Sequence, residues 1–162
     1  MTDRREAGTG GTTERRPIKP RVMRVPNAGN FCSDDWCDDE KITLRRLTDI
    51  NLGGKAGQGV SLERSICTRV SFEETRLHLQ SARDVCFEGC NMANAIWVRS
   101  FWERVAVTDS RLTGFDLRDA EMRNVLISGC KADMACFRSA KCKSVRIEEC
   151  CLTEADFQDA DL

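Results

Sequence analysis

The sequence predicts an all-β fold, a solenoid wound from short coils, and three observations over residues 60–162 predict it. Counting back from Leu162 in fives, through Phe157, Leu152 and Ile147 as far as Leu62, every position is apolar, 21 in succession. Two residues before each lies a second series, from Val60 to Ala160, in which only Gln80 and Phe115 are not small. The same stretch holds 17 acidic and 14 basic residues, and none of them falls in either series. We call the first series i and the second i−2. An unpaired buried charge is very costly, so i and i−2 face a dry interior and the other three positions face water.

Neither common element fits this period. A helix turns about 100° per residue, so five residues drift and no stripe forms. A strand alternates with period two, and an odd repeat would flip faces at every unit. A chain that turns a corner once per five residues does fit, each unit giving one short extended side. Reading every fourth unit sets the size of a coil. Val85, Val105, Val125 and Val145 share one register, and Cys90, Ser110, Cys130 and Cys150 share another. Like residues recur at 20, as stacking one coil on the next requires. Size compensation agrees, since bulky Trp102 would sit between Ala82 and Met122, and a narrow bore has no room for two oversized neighbours.

The units Ala155-Asp156-Phe157-Gln158-Asp159, Ala160-Asp161-Leu162, Cys90-Asn91-Met92-Ala93-Asn94 and Ala120-Glu121-Met122-Arg123-Asn124 resemble those of the pentapeptide-repeat family. The resemblance implies a right-handed quadrilateral parallel β-helix of about five regular coils, with four pentapeptides per coil and i and i−2 inward. With strands about 4.8 Å apart, such a rod is roughly 25 Å long.

The remaining third divides in two. Residues 1–29 carry seven basic against three acidic residues and few large apolar ones. This stretch is expected to be a disordered basic arm, with a contact to nucleic acid or acidic protein as the functional alternative. Residues 30–59 are expected to form an irregular cap and first coil. Phe31 and Trp36 are its candidate anchors, and Ile42, Leu47 and Leu52 keep the five-residue phase. Glu40 and Arg45 stand at i−2 there, and Gly53, Gly54, Gly57 and Gly59 are expected to mark a loop before regular winding starts at Val60.

The ten cysteines do not read as a disulfide framework. Cys90, Cys130 and Cys150 stand at i−2 and Cys67 and Cys142 at i, where a thiol is a small apolar filler. A reducing compartment suits them, no apolar run is long enough to span a bilayer, and the N-terminus lacks the apolar core of a signal peptide. The chain reads as cytoplasmic, with no membrane contact. Cys32 and Cys37 form a weak zinc signal, with no partner pair and no nearby histidine. No metal and no cofactor is expected. His78 is the single histidine and stands at an outward position, and no phosphate loop or dinucleotide fingerprint occurs. An enzyme is not expected, and no catalytic residue is assigned.

A protein-interaction or scaffold module of unknown target fits better. Ile66, Cys86, Ala106 and Leu126, each at i−1, stack at 20-residue spacing into an outward apolar stripe that ends at Arg146. Leu79, Ile96, Val98 and Phe101 form a second cluster around one corner. Contiguous exposed apolar area marks contact sites, although the N-terminal segment could fold back over one of these patches. The repeat stops in phase at Leu162. An open coil end is a template for pairing, so either a longer parent or an end-to-end homodimer through the C-terminal coil is expected. The family resemblance also implies an alternative, a DNA-mimicking modulator of a type II topoisomerase such as gyrase. The near balance of charge in the repeat is a poor match to that role, and nucleic acid itself is not an expected partner.

Overall fold

The computed structural model describes Pro17, Ile18, Pro20, residues 37–78 and residues 80–162. The rest of the basic arm, Phe31, Cys32, Trp36 and Leu79 lie outside the described residues. Among the described residues nine strands follow in order: β1 (Lys41–Thr43), β2 (Arg46–Thr48), β3 (Ala56–Gln58), β4 (Ser61–Thr68), β5 (Arg76–His78), β6 (Ser81–Glu88), β7 (Phe101–Thr108), β8 (Glu121–Ser128) and β9 (Lys141–Glu148). All pairs are parallel and all are offset by 20 residues, as in Val85↔Val105 and Val105↔Val125. The main sheet runs β1-β4-β6-β7-β8-β9, with β2 also on β4, and β3 pairs β5. Isolated bridges such as Ile96↔Asp116 and Arg111↔Lys131 carry the same offset on the remaining sides. The chain is therefore a quadrilateral parallel β-helix, right-handed as parallel crossovers are.

The corners explain the five-residue rule. Every described residue two after an i position has positive φ, from 46° at Arg64 to 70° at Gly59. At many corners the N–H three residues after i donates to the i carbonyl, as Ala95 does to Met92 at 3.2 Å and Phe115 to Leu112 at 3.0 Å. With the third residue left-handed, these are type II turns. An Asn or Asp at i−1 supports the turn, accepting from the N–H two residues on: Asn91 from Ala93 at 3.1 Å and Asp156 from Gln158 at 2.9 Å. That contact gives the Asp or Asn of the repeat unit its physical role. Each eight-residue strand of β4 and β6–β9 spans two sides and bends at its fourth residue, Arg64, Asp84, Arg104, Asn124 or Ser144.

Both inward series are buried from Val60 through Ala140. Trp102 stacks between Ala82 and Met122, as the size argument requires. Phe72, Phe87, Trp97, Trp102 and Phe115 form an aromatic centre, with Trp97 edge-on to Phe72 and to Phe115 at 5.3 Å each. Phe115, oversized for i−2, fits because it packs edge-on into this group. Trp97 Nε1–H donates to Thr75 Oγ1 at 2.9 Å, and Thr75 in turn donates to the Phe72 carbonyl at 2.7 Å. The other unusual i−2 residue, Gln80, is fully buried, and neither its amide nitrogen nor its oxygen has a partner among the described residues.

The glycine-rich stretch is not a loop. β3 continues the winding through Gly57, and the register β1↔β4 shows that coiling at this offset begins by Lys41. Gly54 and Gly59 sit at left-handed corners, φ 69° and 70°. The inward residues of the last coil, Cys142, Val145, Ile147, Leu152 and Phe157, are only half-buried.

Candidate functional site

On each coil, i−1 and i+1 point outward on either side of a buried i residue. Along the second side of β4 and β6–β9 this gives two parallel columns. One is Ile66, Cys86, Ala106, Leu126 and Arg146, and the other is Thr68, Glu88, Thr108, Ser128 and Glu148. Ala106 and Thr108 are small, so the middle of this face is a trough between larger neighbours. Cys86, Ala106, Thr108, Leu126, Arg146 and Glu148 line a groove of about 510 Å³ there, together with Pro17, Ile18 and Pro20 from the N-terminal segment. Arg146 donates to Glu148 at 3.5 Å and marks the charged end of the groove. Burial, with the Glu88 carboxylate beside it, pushes the Cys86 thiol up.

The structure thus brings Cys86, Ala106 and Leu126 into one groove. Ile66 continues their column one coil below but does not line it. The described members of the second cluster stand on either side of one corner. Ile96 and Val98 are half-buried on one side, with Ile96 between Arg76 and Asp116. Phe101 lies on the next side, across the corner at Arg99, and the Arg83 and Arg123 guanidinium carbons lie 5.1 and 5.6 Å from its ring centroid. These cation–π contacts occupy both flanks of the ring.

Several outward charges pair with each other. Arg104 grips Asp84 one coil below through two bonds of 2.7 and 2.8 Å and also reaches Glu103 at 2.6 Å. Arg69 grips Asp49 likewise at 2.6 and 2.7 Å. Arg118 binds Asp116, and Arg83 lies 3.7 Å from Glu103. Both signs are therefore spread over the outer faces rather than sorted into an acidic field. Cys67, Cys90 and Cys130 are buried in the bore without disulfides. Burial pushes Cys90 and Cys130 up to about 11. Cys37 is exposed, and its thiol lies 3.5 Å from Glu40. Among the described residues no three His, Cys, Asp or Glu side chains are grouped to hold a metal ion. No helix among them is long and apolar enough to cross a membrane.

No protein-family model and no curated protein matches the chain. Among solved structures it is similar to QnrB1, a plasmid-mediated fluoroquinolone resistance protein, at 11% identity and a TM-score of 0.46, over 75% of this chain and 64% of that one. It is also similar to the pentapeptide repeat protein Rfr23 of the cyanobacterium Cyanothece, at 16% identity and a TM-score of 0.41, over 76% and 88% of the two chains. A third is HetL, a pentapeptide repeat protein of the cyanobacterium Nostoc involved in heterocyst differentiation regulation, at 12% identity and a TM-score of 0.27, over 77% and 88%. The chain's own five-residue period, its left-handed corners and its 20-residue rise make it a pentapeptide-repeat β-helix.

Proposed function

We propose that this chain is a non-catalytic docking module, and that a protein partner lies along the outward face of β6–β9. The observation that supports this is the groove itself: an apolar trough built from residues stacked 20 apart on a parallel sheet face. A rigid sheet face holds side chains at fixed spacing, which suits recognition by shape rather than chemistry. A reducing cytoplasm is the setting in which the buried thiols of Cys67, Cys90 and Cys130 persist. The test compares affinity capture by the wild type, Leu126→Asp and Arg138→Ala. A partner lost with Leu126→Asp and retained with Arg138→Ala supports the face; a partner retained by both removes it.

The half-buried last coil supports a second contact of the same class. Cys142, Val145, Ile147, Leu152, Phe157 and Leu162 line an apolar opening of about 390 Å³. An end-to-end pair of copies would bury it.

A further inference from the structure

The groove on β6–β9 is walled in part by this chain itself. Pro17 and Pro20 are half-buried against it, whereas Ile18 between them is 56% exposed. Proline fixes φ and pre-extends a segment, so laying one along a sheet costs little further conformational entropy. Charge is mixed, since the lining pairs Arg146 with Glu148 at 3.5 Å. Arg15, Arg16, Lys19 and Arg21 surround the two prolines in sequence. The groove face carries Glu148 in its lining and Glu88 two coils beneath Ser128 in the same column.

We propose that the chain's own N-terminal segment, seated through Pro17 and Pro20, is the resident occupant of this groove, and that a partner docks on the face by displacing it. Only the second half rests on the docking reading above. Among the described residues the segment meets the groove only through Pro17, Ile18 and Pro20, so it opens far more readily than the coils beneath, as weakly packed segments do.

The test uses the full chain and iodoacetamide as the probe, with modification of each cysteine followed by peptide mass spectrometry at about pH 9, where thiols ionise appreciably. Cys86 lines the groove; Cys136, half-buried at i−1 on another side, is the internal control. Pro17→Asp with Pro20→Asp sets acids against Glu148 and removes the stiffness of the segment. The expected result is Cys86 modification faster by about threefold or more, since the reaction follows the open population, with Cys136 unchanged. An unchanged Cys86 rate overturns the proposal. Protection of Cys86 in the wild type that rises with protein concentration also overturns it, because a second copy would then be the occupant. The double variant is further expected to capture more partner than the wild type, and equal capture overturns displacement. Because the alkylation assay contains no partner, a Cys86 response as expected with capture indifferent to Leu126→Asp would keep the seated segment and remove the docking reading.

Discussion

Replacing Phe87 by Ala tests the inward columns at their most crowded point. Phe87 is fully buried, in register between Cys67 and Val107, with ring centroids 5.8 Å from Phe72, 6.1 Å from Trp97 and 6.0 Å from Trp102. Truncation removes the ring's transfer free energy and leaves a hole that the hydrogen-bonded coils above and below prevent from closing. Phe→Ala changes of this kind cost about 3–5 kcal/mol. The three aromatic contacts, each worth about 0.5–1.5 kcal/mol beyond area burial and not additive, place Phe87 at the upper end. The neighbouring change Glu88→Ala, at an exposed i+1 position, should stay within about 0.5 kcal/mol. Urea unfolding followed by tryptophan fluorescence reads both, because Trp97 and Trp102 adjoin the ring. The midpoint should fall for Phe87→Ala at an unchanged slope. Equal losses at the two positions would refute the assignment of inward and outward residues.

Three further outcomes follow from particular residues. Gln80→Met should raise stability by about 1–3 kcal/mol in the same assay, since it removes two buried polar atoms that lack partners; a loss would show that the amide is satisfied in solution. Stability should fall as pH rises from about 8.5, where an unfolded thiol ionises, towards about 11, the value to which burial pushes Cys90 and Cys130. Below that window both states hold the proton, and within it the unfolded chain releases protons that the folded chain retains; Cys90→Ala with Cys130→Ala should flatten the decline seen in denaturation at successive pH values. Phe157→Asp, in the last coil and stacked on Phe137 at 4.8 Å, should convert an end-to-end dimer to monomer by light scattering; a wild type that is monomeric at high concentration would remove that contact.

Much of the architecture was legible because burial here has one dominant cause. The bore admits no charge, so a period in the charges is a period in the fold, and both inward series followed from it through Ala140. Recurrence at 20 was legible for the same reason, since Val85, Val105 and Val125 stack directly. The corners were not. Every corner demands positive φ, a conformation glycine and asparagine favour, yet Arg64, Arg69, Arg99, Glu74 and Met134 adopt it as readily as Gly54 and Asn94 do. Pairing and turn bonds over-determine the backbone there, so the local preference that puts Gly89, Gly114, Gly129, Asn94 and Asn124 at corners marks only some of them. The glycine cluster misled in the opposite sense: Gly54 and Gly59 satisfy corners of a regular coil and Gly57 lies within a strand, although glycine alone signals a loop. Of the candidate site, the column through Cys86, Ala106 and Leu126 followed from spacing. Its limit short of Ile66 did not, because the trough depends on the small residues Ala106 and Thr108 beside it. The arginines over Phe101 also needed coordinates. Leu79 lies outside the described residues. The topoisomerase reading drew on family resemblance, and the cross-coil ion pairs of Asp84 and Glu103 and the same-side pair of Asp116 with Arg118 offset part of the acidic charge.

The stacking of every twentieth residue builds both the bore and the groove, and methyl NMR measures it directly. In a sample with labelled valine methyls, Val105 should show strong cross-relaxation to Val85 and to Val125, its partners on the coils below and above. Contacts from Val105 to neither, or amide contacts three and four residues apart along 100–130 as in a helix, would contradict the coil and everything placed on its faces.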